Sequence, residues 1–114
     1  MKIISILTLP AAKAGNPSQD EMERMGAFIT ELRGRGVLID TGGRDNDMFE
    51  QIVSRREGKT TATDGPFTEA KEVVGGYALM DVRDVAEATA LTERFLDIIG
   101  TGTCHLHEVG PTPF

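Results

Sequence analysis

The sequence predicts an α+β fold in which two helices cover one face of an antiparallel sheet. Three observations carry that prediction. Two stretches place apolar residues at helical spacing behind capping residues, and several short runs of β-branched or alternating apolar residues read as strands. Their order along the chain is strand, helix, strand, hairpin, strand, helix, strand. With both helices on one face, the other face needs cover, and a second copy of the chain would supply it. A length of 114 residues fits one domain over positions 1–114.

The first strand covers residues 2–8, with Ile4 and Ile6 on one side and Ile3 and Leu7 on the other. Apolar residues on both faces place it centrally. Residues 9–17 hold two prolines, Gly15 and Asn16, and read as a loop. Ser18 followed by Glu21 is a capping-box pattern, and Met22, Met25, Phe28, Ile29 and Leu32 form one apolar stripe of the first helix. Gly34 and Gly36 stop that helix. Val37, Leu38 and Ile39 make a short second strand that Thr41, Gly42 and Gly43 terminate. A polar loop follows over 44–49. Residues 51–56 and 59–63 read as a hairpin around Glu57 and Gly58. Residues 68–74 fit either a helical turn or an irregular segment, and the second is favoured because Val73-Val74-Gly75-Gly76 makes a poor helix end and a good strand entry.

The next strand covers 76–82 and alternates Tyr77, Leu79 and Asp81 against Ala78, Met80 and Val82. Asp84 with Glu87 repeats the capping pattern, and Ala88, Leu91, Phe95, Ile98 and Ile99 line a second helix that Gly100 and Gly102 end. The last strand, 103–109, sets His105, His107 and Val109 against Cys104, Leu106 and Glu108. The proline-containing tail after Gly110 is loosely held.

Lys and Arg total 12 against 18 Asp and Glu, a net charge of −6, and no stretch concentrates the basic residues. That balance argues against nucleic acid and against an anionic membrane surface as partners. With 39% hydrophobic and 26% charged residues the composition is that of a soluble globular protein. No run is long enough to span a membrane, and the first apolar run is too short for a signal peptide. The single cysteine, Cys104, has no internal disulfide partner, which fits a reducing, cytoplasmic compartment.

Residues 64–77 concentrate unusual backbone chemistry. Pro66 fixes its own φ and pushes Gly65 toward extended geometry, which makes a rigid corner after Asp64. Four charged side chains, Asp64, Glu69, Lys71 and Glu72, lie in this stretch. The tetrad Asp-Gly-Pro-Phe, followed by Thr-Glu-Ala-Lys-Glu and Gly-Gly-Tyr, resembles the signature of the DGPF proteins, a branch of the YCII-related domain family. The order of elements extends the resemblance over nearly the whole chain. It implies a ferredoxin-like βαββαβ fold with an inserted hairpin, paired into a dimeric α/β barrel, and a biochemical role poorly defined across the family. Some relatives of that superfold are enzymes acting on small cyclic or polar molecules, but fold alone does not transfer function.

Asp64 has two readings. As a partly buried carboxylate beside a cavity it would act as a general acid or base; as a turn cap it would bond backbone N–H groups across its corner. The resemblance favours the first, since YCII-related proteins use an aspartate in a polar pocket. Phe67, Glu69, Lys71 and Tyr77 are the candidate ligand contacts, with a solvated Glu69 and Lys71 ion pair as the plainer alternative. His105 and His107 point the same way from one strand, where family members more often carry Glu and Arg. They can act as acid–base groups, contact substrate or simply face solvent. Their spacing can also supply two metal ligands, but a third would have to come from a neighbouring strand and no standard metal motif is present. Cys104 lies on the opposite, core side. The pairs Gly42-Gly43 and Gly75-Gly76 fit no phosphate-loop pattern.

Two functions follow. One is a cofactor-independent enzyme doing acid–base chemistry on a small polar or cyclic molecule through Asp64 with His105 or His107. The other is a non-catalytic module that binds a small ligand or acts as an accessory to a protein partner, which the family's association with transcription-factor regulation also implies. In both the chain pairs with itself.

Overall fold

The computed structural model describes residues 1–65, 67 and 71–114. Strand β1 (Lys2–Pro10) runs through the middle of a four-stranded antiparallel sheet. It is flanked by β5 (Glu72–Asp81) on one side and β6 (Thr103–Val109) on the other, and β2 (Leu38–Gly43) lies outside β5, giving the order β2-β5-β1-β6. Helices α1 (Gln19–Gly34) and α2 (Val85–Ile99) form the connections that complete a ferredoxin-like βαββαβ arrangement. Between β2 and β5 the chain inserts a two-stranded sheet, β3 (Gln51–Arg56) and β4 (Lys59–Asp64). At its tip Glu57 and Gly58 both take positive φ, 51° and 78°, the conformation a tight two-residue hairpin turn requires.

Alternation along β1 divides the sheet into two faces. Ile3, Ser5, Leu7 and Leu9 are buried and face inward, while Ile4, Ile6 and Thr8 are half-buried on the other side. The inner face packs on both helices. Ile3, Met80 and Val82 from the sheet side meet Phe28 and Leu32 of α1 and Ala88 and Leu91 of α2 in one cluster, where burial of each large side chain contributes about 1.5–3 kcal/mol. A smaller cluster of Leu7, Leu9 and Ala14 receives Cys104, whose core position agrees with its place in the alternation.

Each helix has a defined start. Ser18 Oγ accepts the Glu21 N–H at 3.1 Å, and Asp84 Oδ1 accepts the Glu87 N–H at 2.9 Å. Neither glutamate reaches back to its own cap residue. Glu21 accepts from Lys13 Nζ at 3.0 Å, and Glu87 accepts from the Arg83 N–H at 3.0 Å. Gly100 closes α2 in the left-handed conformation, its N–H donating to the Leu96 carbonyl at 2.8 Å. Arg94 of α2 clamps the helices together. Both terminal nitrogens donate to Glu31 of α1 at 2.8 Å, and the guanidinium stands 4.8 Å from the Phe28 ring centre.

Three boundaries differ from the sequence expectation by two residues or more. β1 runs on to Pro10, where the missing N–H is tolerated at a strand end. Thr41, Gly42 and Gly43 continue β2 rather than ending it. Thr41 Oγ1 donates to the Tyr77 carbonyl at 2.8 Å, and a Cβ on Gly42 would lie 2.8 Å from the Tyr77 ring, so the glycine makes room for the aromatic across the pair. β5 begins at Glu72, inside the segment read as irregular. A β-bulge allows this: Leu7 pairs with Gly76 but Thr8 with Val74, so Gly75 is the extra residue. Met22 heads the α1 stripe yet is 50% exposed. No helix among the described residues is long and apolar enough to cross a membrane.

Candidate functional site

Between the inner face and the two helices lies a cavity of about 620 Å³. The glycines create it. Gly43 pairs with Gly76 across β2 and β5, so these two strands carry no inner-face side chains at this end, where at the other end they carry Met80 and Leu38. Gly76 has no room for a side chain, since its Cβ would stand 2.5 Å from the Gly42 carbonyl oxygen, whereas a Cβ on Gly43 would meet the Gly75 carbonyl oxygen only at 3.8 Å. The floor is Ser5, Leu7 and Ala78, and the helices contribute Phe28, Leu91 and Phe95 as the apolar wall.

Two loops frame the mouth. Residues 44–48 supply Arg44, Asp45 and Met48, and Gly15 and Pro17 face them from the loop before α1. The loops are tied together. Asn46 Nδ2 donates to the Ala11 carbonyl at 3.0 Å, and Gly15, at φ 76°, sits so close to Asp45 that a Cβ would come within 2.5 Å of the Asp45 Cβ. The bulge anchors the same corner, because the Arg44 N–H donates to the Gly75 carbonyl at 3.0 Å. Arg44 Nη1 then donates to the Phe49 carbonyl at 3.2 Å, and Nη2 stands 3.6 Å from Glu50. The result is an apolar chamber with polar groups at its entrance. Within it, Thr92 Oγ1 donates to the Ala88 carbonyl at 2.8 Å. Cys104 is beside the buried Ser5; burial pushes its thiol up, and the Ser5 hydrogen bond offsets that in part.

The outer face has its own polar pair. Tyr77 donates its hydroxyl to Asp40 Oδ2 at 2.6 Å, and this bond to a carboxylate, with some burial, raises the phenol above its ordinary value of 10.0. His105 pairs with Ile6 and His107 with Ile4 across β1 and β6, so both histidines share the face that carries Tyr77 and Leu79. Both are exposed, on the edge strand.

The structure separates the residues that the sequence gathered. Asp64 closes the hairpin opposite Gln51, whose Nε2 donates to Asp64 Oδ1 at 2.6 Å, and it stands on a different sheet from His105 and His107. The corner after it is held by Glu50: its carbonyl accepts the Gly65 N–H at 2.7 Å and its carboxylate accepts the Phe67 N–H at 3.3 Å. Phe67 is half-buried there. Lys71 is exposed, and its carbonyl accepts the Ala11 N–H at 3.2 Å. Glu69 lies outside the described residues, as does any pairing of Glu69 with Lys71. Sequence reasoning missed the cavity, the Arg44 and Asp45 mouth, and Asp40 as the partner of Tyr77. Two glycine pairs on strands that prove to be neighbours were the available signal, since together they strip one end of a sheet face.

The family model of the YCII-related domain matches residues 3–95 of the chain. No curated protein matches it.

Proposed function

We propose a function for a chain that belongs to the YCII-related domain family: it binds a small, largely apolar cyclic molecule in the chamber between sheet and helices, with a polar substituent at the Arg44 and Asp45 mouth. The observation that carries this reading is the chamber itself. Its volume of about 620 Å³ falls within the ~300–1,000 Å³ typical of small-molecule sites, and apolar walls with a few polar groups at one end are what such sites use. The test is binding of anilinonaphthalene sulfonate, an apolar ring system with one anionic group, to the folded protein. Stoichiometric binding that Ala78→Phe abolishes without loss of helix content supports the chamber; binding unchanged by that filling substitution places the ligand elsewhere.

Two copies pair through the outer face in this reading. Ile4, Ile6 and Leu79 are half-buried there, and Tyr77 and Val74 are 38% and 43% exposed in the single chain. The radius of gyration, 15.8 Å, exceeds the about 13 Å of a compact chain this long, as a thin body with an uncovered face and a projecting hairpin would.

A second reading keeps Asp64, His105 and His107 as acid–base groups of an enzyme. One observation favours it: the two imidazoles share a face with the Tyr77 and Asp40 pair, and pairing through that face would enclose them. An Asp64→Asn or His105→Gln variant that folds and retains full turnover removes that residue from the mechanism.

A further inference from the structure

We propose that His105 and His107 form a two-imidazole chelate for a borderline divalent transition-metal ion such as Ni²⁺, Cu²⁺ or Zn²⁺, a site separate from the chamber. The sequence spacing alone leaves the pair unspecific, since any bulge in the strand would turn one ring to the other face. β6 has no bulge. Its pairing with β1 is continuous from Lys2 opposite Val109 to Thr8 opposite Thr103, so both side chains leave the same face about 7 Å apart along the strand, as residues i and i+2 do. That separation lets two imidazoles converge on one ion with metal–nitrogen bonds of about 2.0–2.1 Å.

The surroundings leave both rings free to coordinate. Among the described residues neither imidazole has a hydrogen-bond or ion-pair partner. Their cross-strand neighbours are Ile4 and Ile6, which offer no competing ligand and put an apolar wall on the inboard side. Beyond β6 the sheet ends, so the pair lies at the rim of the face through which two copies are proposed to pair, and the outboard edge leaves the remaining coordination positions to water or to an added ligand. Imidazole nitrogen selects borderline cations over Ca²⁺ and Mg²⁺, and within the first row the affinity rises from Mn²⁺ to Cu²⁺. The two rings belong to one chain, so the site is complete without a second copy.

Calorimetric titration of tag-free protein with Ni²⁺ tests this. The expected result is one site per chain, with no binding of Mn²⁺ over the same range. His105→Gln and His107→Gln each weaken Ni²⁺ by about tenfold or more, the loss of one of two bonds being worth at least about 1.4 kcal/mol. Cys104→Ser leaves it unchanged. The chain has only two histidines, so in the unsubstituted protein paramagnetic Ni²⁺ should broaden both sets of ring resonances before any others. Absence of Ni²⁺ binding, binding indifferent to both histidine variants, loss of binding in Cys104→Ser, or ring resonances that stay sharp as others broaden would each overturn the assignment.

Discussion

Ile3, Leu7, Leu9 and Met80 on the inner face of the sheet are buried beneath α1 and α2, whereas Ile4, Ile6 and Leu79, interleaved with them along the same strands, are only half-buried on the outer face. Strand propensity cannot distinguish the two sets, since the same backbone carries both. What differs is the layer above. The inner face has helices that reach it only partly, because two glycine pairs hollow one end, and among the described residues no helix packs on the outer face. In the function proposed above, the incompletely covered apolar surface is the binding chamber and the uncovered one is the surface through which two copies pair.

The largest expected effect lies inside. Leu32→Ala removes a side chain that is 3% exposed and should lower stability by about 2–5 kcal/mol in chemical denaturation. If it costs no more than Ile6→Ala outside, the two faces are not different in the way described. Next comes the outer face: Ile6→Asp should convert a dimer to a monomer in native mass spectrometry while keeping the circular dichroism of the fold. A protein that is monomeric before substitution breaks this half of the comparison.

Two smaller effects sharpen it. Tyr77 is the single tyrosine, so its ionisation can be followed by phenolate absorbance. Its raised value means the Asp40 bond stabilises the fold below pH 10.0 and is lost as pH rises through the folded value; Asp40→Asn should bring the midpoint down toward 10.0. The smallest effect belongs to the helix layer. Arg94, first by its hydrogen bonds, holds the Glu31 carboxyl at about 2, below its ordinary 4.5. That stabilisation is present above pH 4.5 and lost as pH falls through about 2, and Arg94→Met should flatten stability over that window. The pair is exposed, so salt should shrink the difference.

Features that depend on neighbours in sequence were legible before the structure. The caps at Ser18 and Asp84, the Glu57 and Gly58 turn, the alternation of β6 and the inward Cys104 follow from spacing alone. The chamber was not, because it needs Gly43 to meet Gly76 and Asn46 to meet Ala11, contacts between residues more than thirty positions apart. At the Asp64 corner the same distance in sequence matters: among the described residues Glu50, across the base of the hairpin, accepts the Gly65 and Phe67 N–H groups.

That bond between Glu50 and Gly65 has an evolutionary consequence. It joins the two ends of the hairpin at 2.7 Å, and among the described residues the strands between them pair only with each other. Segment 51–64 is therefore a cassette: it can lengthen, shorten or be exchanged while the four-stranded sheet keeps its register. Among descendants of this scaffold, differences in chain length should collect there, leaving the chamber mouth and the β6 histidines free to diverge independently.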